Sequence, residues 1–303
     1  MLILEAQNLQ KTYRSRRQVF TAVADVSLKL AAGEVLAFLG PNGAGKTTTI
    51  KMIAGLILPD SGWVMVAGRN PHQDVRALRA IGAVLEGNRN LYWRLTPIEN
   101  LEYFGVLRGL SRRVAQQHSR DLIERFELGD KRQTLVQNLS RGMQQKLAIA
   151  VALMHDPQLL LLDEPTLGLD VEATESVKRL IREIAAEGRA ILLTTHQLDI
   201  AEELSNRVAV INQGEIVVEE PTAELIRQFS DSAYLIQLEQ PLDTLRASKI
   251  TALGATVELQ QITIRDPEIL YSALEILRPL PIVTMGRQQA NLTDIFLSFV
   301  RKP

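Results

Sequence analysis

Five apolar residues, Val35 to Leu39, run straight into Gly40-Pro41-Asn42-Gly43-Ala44-Gly45-Lys46-Thr47, and the helix-forming stretch Thr47 to Leu56 follows at once. A strand that breaks into a glycine-rich loop and restarts as a helix aims backbone N–H groups and a positive helix end at one spot, which is a cradle for phosphate. The glycines let the backbone turn towards an anion with no side chain in the way. Gly40-x4-Gly45-Lys46-Thr47 has the full spacing of such a phosphate loop in the right context, after a strand and before a helix. The candidate nucleotide-binding residues are therefore Gly40, Asn42, Gly43, Ala44, Gly45, Lys46, Thr47 and Thr48. Lys46 reaches the β- and γ-phosphates in this reading, and the Thr47 hydroxyl is a ligand for Mg²⁺.

Further apolar strands without alternation follow at Leu159 to Leu162, Ala190 to Thr194 and Val208 to Ile211, with an amphipathic helix at Val171 to Ala186. Such strands suit a parallel sheet covered on both faces, so the fold class is α/β with a parallel core sheet. A helical insertion of roughly 88–156 interrupts the core. Within it Thr96, Pro97 and Glu99 make a helix start, and a second helix runs from after Ser111 to about Phe126. Gln213-Gly214 reads as a hairpin turn, and a helix from Thr222 to Phe229 closes a first domain, 1–229. A small C-terminal α/β domain, 230–303, follows, with strands at Tyr234 to Leu238 and Ile282 to Met285, alternation from Val257 to Ile264, and a helix from Pro267 to Leu277. Its terminal helix, Leu292 to Val300, carries Leu292, Ile295, Phe296, Phe299 and Val300 on one face, which is expected to pack on its own small sheet.

Composition removes several function classes. A formal net charge of -1 over 303 residues, with one short basic run from Lys11 to Arg17, gives no footing for nucleic acid, and no nucleic-acid partner is expected. The chain has no cysteine, which excludes disulfides and thiolate metal sites. Glu5 interrupts the N-terminal apolar residues, so the start does not read as a secretory leader, and no apolar run approaches the roughly 18 residues that span a bilayer.

Leu159 to Glu164 reads LLLLDE. Asp163 ends the strand where a metal bound beside the phosphate loop has to sit, and it is a ligand for Mg²⁺ directly or through water. Glu164, one residue on, is placed to orient and polarise an attacking water. Acidic residues also end strands merely as caps, and a lone histidine after a strand is ordinarily a surface or core residue. What favours a role for His196 is the order of phosphate loop, acidic strand, then Thr-His after the next strand, all on the edge where α/β sheets bind ligands. The candidate catalytic residues are Glu164, His196 and Lys46.

Together with Asn138 to Lys146, NLSRGMQQK, these motifs resemble the ATP-binding subunits of the ABC transporter family, over about Leu4 to Leu225. The resemblance implies a P-loop NTPase core with an N-terminal antiparallel β subdomain, and ATP with Mg²⁺ as cofactors. In that family the signature loop of one subunit closes over ATP held by the phosphate loop of another. Ser140 and Gly142 are thus implied to contact a γ-phosphate on the partner of a homodimer. Tyr13 matches the aromatic that stacks on adenine, and Asp170 in LGLD matches the loop linking the two sites. The stretch from Gly87 to Asn100, with Leu91, Tyr92 and Trp93, corresponds to where the family meets its separate membrane subunit. Glu86 stands where the family usually has a metal-binding glutamine; a carboxylate can also bind Mg²⁺ but repels the γ-phosphate when the metal is absent. Arg141 and Met143 replace the commoner glycine and glutamine of the signature. The function implied is an energy-coupling ATPase at the cytoplasmic face of a membrane, peripheral, similar to the drug- and antibiotic-resistance export branch. The alternative is a soluble ATPase of the same kind acting in translation or DNA repair.

Overall fold

The computed structural model describes residues 1–14, 19–85, 91–229, 233–287 and 291–300. Its contacts divide the chain into two units, chiefly Met1–Thr222 and Ala223–Ser298. The division falls at the start of the helix Thr222–Phe229 rather than after it.

The first unit opens with two long strands, β1 (Leu2–Arg14) and β2 (Val19–Ala31), then β3 (Val35–Leu39), α1 (Lys46–Ile53), β4 (Ser61–Val66) and β5 (Ile81–Val84). Three helices follow, α2 (Pro97–Leu107), α3 (Arg112–Arg125) and α4 (Arg141–Leu153), before the core resumes with β6 (Leu159–Asp163), α5 (Val171–Ala186) and β7 (Ala190–Thr194). Then come α6 (Leu198–Leu204), β8 (Arg207–Asn212) and β9 (Glu215–Pro221). The nine strands form one sheet in the order β4-β1-β2-β9-β8-β3-β7-β6-β5. The five from β8 to β5 run parallel. Every residue of β3, β6 and β7 is buried, as apolar strands without alternation require of a sheet covered on both faces. At the other end β4, β1 and β2 pair antiparallel. This part of the architecture is the α/β fold with the parallel core expected from the apolar strands and the antiparallel N-terminal wing that the family resemblance implies.

Local chemistry moves several boundaries. Helix α1 stops at Ile53 instead of Leu56, because Gly55 takes a left-handed φ of 75° that ends the turn. Helix α4 begins at Arg141, ahead of Met143, because the Ser140 hydroxyl caps it by accepting from the Met143 N–H.

In the second unit α7 (Thr222–Phe229) precedes β10 (Tyr234–Leu238), α8 (Thr244–Ala252), β11 (Thr256–Glu258), β12 (Gln261–Ile264), α9 (Leu270–Leu277), β13 (Ile282–Arg287) and α10 (Leu292–Val300). The alternation from Val257 to Ile264 is a hairpin of two short strands, not one strand, since Leu259 adopts a left-handed φ of 52° and turns the chain. Helix α8, capped by Asp243, has no counterpart in the expectations, and α9 starts only after a 3₁₀ turn at Pro267–Ile269. The antiparallel order β11-β12-β10-β13 with the succession βαββαβ is that of a split βαβ unit. Its core comes from β10, β12, α8 and α9; among the described residues no side chain of α10 belongs to it, although Leu292 and Ile295 are buried. No helix among the described residues is long and apolar enough to cross a membrane.

The entry to α2 depends on one buried amide. Asn100 donates to the carbonyls of Tyr92 (3.1 Å) and Thr96 (3.0 Å) and accepts from the Tyr92 N–H (2.8 Å), while Thr96 and Glu99 form a reciprocal capping box. Asn100→Ala strands these backbone groups and is expected to cost about 2 kcal/mol or more, read as a lower urea midpoint at unchanged slope.

Candidate nucleotide and catalytic site

The carboxyl ends of three adjacent strands build the site. Strand β7 lies between β3 and β6 and pairs Thr194 with Phe38 on one side and with Asp163 on the other. The phosphate loop leaves the end of β3 next to Asp163 and Glu164 at the end of β6.

The loop is shaped from behind by parts of the chain that carry no motif. A Cβ on Gly40 would lie 2.4 Å from the Ile211 carbonyl oxygen, and one on Gly45, which has a φ of 112°, would lie 2.4 Å from the Ala22 carbonyl oxygen. The β8–β9 turn touches the loop directly, because Gly214 donates to the Ala44 carbonyl at 3.0 Å. Gly43, with a φ of 82°, has open space where its side chain would be. The two outer glycines are thus required by close backbone approach, and Gly43 leaves a face of the loop clear. Asn42 is exposed, Ala44 is buried, and Thr47 and Thr48 are half-buried.

Lys46 is buried and donates from Nζ to the carbonyls of Gly40 (2.6 Å) and Pro41 (3.2 Å), which folds its ammonium back along the loop. Burial holds its pKa below the usual lysine value, and the charges of Glu164 and Asp163 oppose that shift. Asp163 is 5% exposed and sits between two hydroxyls, with Thr194 Oγ1 donating to Oδ1 and Thr47 Oγ1 at 3.5 Å from Oδ2. A hydroxyl and a carboxylate converging from two elements are hard oxygen donors of the kind Mg²⁺ prefers. Glu164 has a left-handed φ of 54°, with its N–H donating to the Thr194 carbonyl at 3.1 Å. Its Oε1 meets His196 Nδ1 at 3.0 Å, while its Oε2 is buried and has no hydrogen-bond partner among the described residues. A buried carboxylate oxygen left over in this way is placed to receive a water's hydrogen bond. The structure thus brings Lys46, Thr47, Asp163, Glu164 and His196 to one edge. Glu86 lies outside the described residues.

The other expected residues lie elsewhere. Ser140 and Gly142 stand at the start of α4, beside Asp170, which caps α5 by accepting from the Ala173 N–H at 2.8 Å. A Cβ on Gly142 would come 2.6 Å from that of Ala173, so close packing of two helix starts also demands this glycine. These residues share an open groove of about 870 Å³ with Glu127, Lys146 and Arg179, and no phosphate-loop residue lines it. Glu127 bridges Lys146 of α4 and Arg179 of α5, each at 2.7 Å. Tyr13 is 41% exposed near the end of β1, opposite Phe20 and thus two residues along β2 from Ala22, which backs the loop. Sequence reasoning missed Thr194, Ile211 and Gly214. The first is masked by an apolar strand, and the others act through backbone atoms.

The residue pattern of the family described as "ABC transporter" matches residues 23–167. The chain is 39% identical over 208 residues to the ABC transporter ATP-binding protein NatA of Bacillus subtilis (strain 168), covering 68% of this chain and 85% of that one. It belongs to the ABC transporter ATP-binding proteins. The daunorubicin/doxorubicin resistance ATP-binding protein DrrA of Streptomyces peucetius is 34% identical over 310 residues, covering 99% of this chain and 93% of that relative. The match to DrrA therefore extends through the second unit as well. Nod factor export ATP-binding protein I of Cupriavidus pinatubonensis (strain JMP 134 / LMG 1197) is 35% identical over 300 residues, with 97% and 90% covered. Among solved structures, an ATP-binding subunit of an ABC transporter is 31% identical with a TM-score of 0.67, over 75% of this chain and 93% of that one. The dimeric post-hydrolysis state of the ATP-binding cassette MJ0796, bound to ADP and Pi, is 27% identical with a TM-score of 0.66, over 73% and 99%. Membership makes this ABC protein an ATPase, and the soluble translation or repair alternative gains no support from these relatives.

For the cradle, Lys46→Ala is expected to abolish binding of a fluorescent ATP analogue while leaving the circular dichroism spectrum unchanged. Retained affinity would count against the assignment of the loop.

Proposed function

We propose that two copies of this chain sandwich two Mg·ATP molecules, each held by the phosphate loop of one copy and the signature loop of the other, and that hydrolysis reopens the pair to drive a separate membrane subunit. The observation that carries the reading is that Ser140, Gly142 and Asp170 open into a groove lacking every phosphate-loop residue. A hydroxyl and backbone N–H groups at a helix start make an anion site, and here that site has no phosphate partner within its own groove.

The residues take distinct parts. The phosphate-loop N–H groups and Lys46 hold the phosphates, Tyr13 stacks on the adenine, and Thr47 and Asp163 hold Mg²⁺. Bound there, Mg²⁺ neutralises charge on the phosphate oxygens. Glu164 orients the attacking water through Oε2, which has no partner among the described residues, and draws off its proton, while His196 fixes the carboxylate through Oε1. Export is favoured because relatives aligned over nearly the whole chain bear the names of a drug-resistance and a Nod factor export protein. The membrane subunit docks on the helical insertion, where Tyr92 and Trp93 are half-exposed and an apolar groove of about 410 Å³ is lined by Tyr103, Val106 and Leu107. A chain acting through such a subunit works as a peripheral protein at the cytoplasmic face.

Glu164→Gln is expected to bind ATP, lose turnover by about 100-fold or more, and elute as a dimer in ATP but not in ADP. Adding Ser140→Arg to it is expected to abolish the dimer while ATP binding persists. A dimer that survives that second change would overturn the composite site. Recovery of the chain from solubilised membranes together with an integral membrane protein checks the transport role; recovery solely from the soluble fraction would reject it.

A further inference from the structure

The proposed roles of Asp163 and Glu164 require both carboxylates to be held still, and one side chain does this for the pair. Thr194, the last residue of β7, is fully buried and lies opposite Asp163 across the parallel β6–β7 ladder. Its hydroxyl donates to Asp163 Oδ1, and the same oxygen lies 3.3 Å from the Glu164 N–H as acceptor. Its own carbonyl accepts from that N–H at 3.1 Å. Glu164 is thereby kept in a left-handed backbone conformation that a non-glycine residue seldom adopts unsupported. With its proton committed to Asp163, the hydroxyl's lone pairs are what remains for Glu164, so the two bonds are mutually consistent.

The neighbouring threonine does something different. Thr195 Oγ1 accepts from the Gln197 N–H at 3.0 Å, and Gln197 Oε1 in turn accepts from Thr166 Oγ1 at 2.7 Å, which brackets His196 between two anchored residues. Thr195 shapes the loop that carries His196; Thr194 faces the acidic strand.

We infer that Thr194 is a positioning residue for ATP hydrolysis, whose hydroxyl locks the rotamer of Asp163 and the backbone of Glu164 so that one carboxylate faces the metal and the other the water. The inference rests on the roles assigned to those two carboxylates above. Valine has the shape of threonine without the hydroxyl, and serine keeps the hydroxyl without the methyl, so the two substitutions separate polarity from packing.

In the full chain, Thr194→Val is expected to lower kcat by about 10–100-fold, with KM for ATP changed by less than about threefold. Binding of a fluorescent ATP analogue in EDTA is expected to stay at the parental level, while the gain in affinity on adding Mg²⁺ shrinks. Thr194→Ser is expected to restore both kcat and the Mg²⁺ effect. If the valine chain does not fold, Thr194→Ala, which adds no new contact, carries the same comparison against serine. Parental kcat in the valine chain overturns the inference, and so does a serine chain as impaired as the valine one, since that would assign the effect to the methyl group. Glu164→Gln separates the two levels of argument. If that chain hydrolyses ATP at the parental rate, the reading of Glu164 itself fails. If it is inactive while Thr194→Val is unaffected, the inference about Thr194 fails alone.

Discussion

A carboxylate 5% exposed in a nearly all-apolar strand is costly unless its oxygens are satisfied, and Asp163 is held in place by hydroxyls from two other elements. This arrangement ties together the phosphate loop, the acidic strand and the strand that leads to His196. It exists because β3, β7 and β6 run parallel and in register, so that their carboxyl ends arrive at the same edge. An antiparallel neighbour would bring the opposite end of a strand to that edge. The parallel core is therefore what makes the chemistry possible, and the loop is shaped around it by the Ala22 carbonyl of the antiparallel wing against Gly45, the Ile211 carbonyl of β8 against Gly40, and the β8–β9 turn, whose Gly214 N–H donates to the Ala44 carbonyl.

The second half of the machine lies on other elements. Helices α4 and α5 start side by side, kept close by the absence of a side chain at Gly142 and capped by Ser140 and Asp170. Glu127 ties the two helices through Lys146 and Arg179, an exposed network whose strength is modest and salt-dependent. Its value lies in fixing the angle between the signature helix and the helix that follows the acidic strand. In the proposed dimer, two half-sites of different chemistry would meet, a cradle with a cation and a helix start with a hydroxyl.

Much of this was legible in the residues. Val35 to Thr47 specifies a buried strand, a turn and a helix start whatever surrounds it, because the glycine spacing and the apolar run act over a few residues. LLLLDE and the Thr-His pair likewise announce strand ends. The second unit was read less well. An alternating pattern continues unbroken through a tight turn at Leu259, and a short helix such as α8 gives too few periods to stand out. α10 presents an apolar face, but nothing in the pattern of that face says which surface it covers.

The sequence by itself determined which local structures form and which residues can carry charge, a phosphate or a metal, since those properties depend on neighbours within a few positions. Only the tertiary structure decided that Thr194 faces Asp163, that Ile211 and Gly214 back the phosphate loop, and that Ser140 and Gly142 open away from it. Those relations join residues far apart in the chain, and their hydrogen bonds and close approaches depend on strand order and register, which local periodicity does not encode.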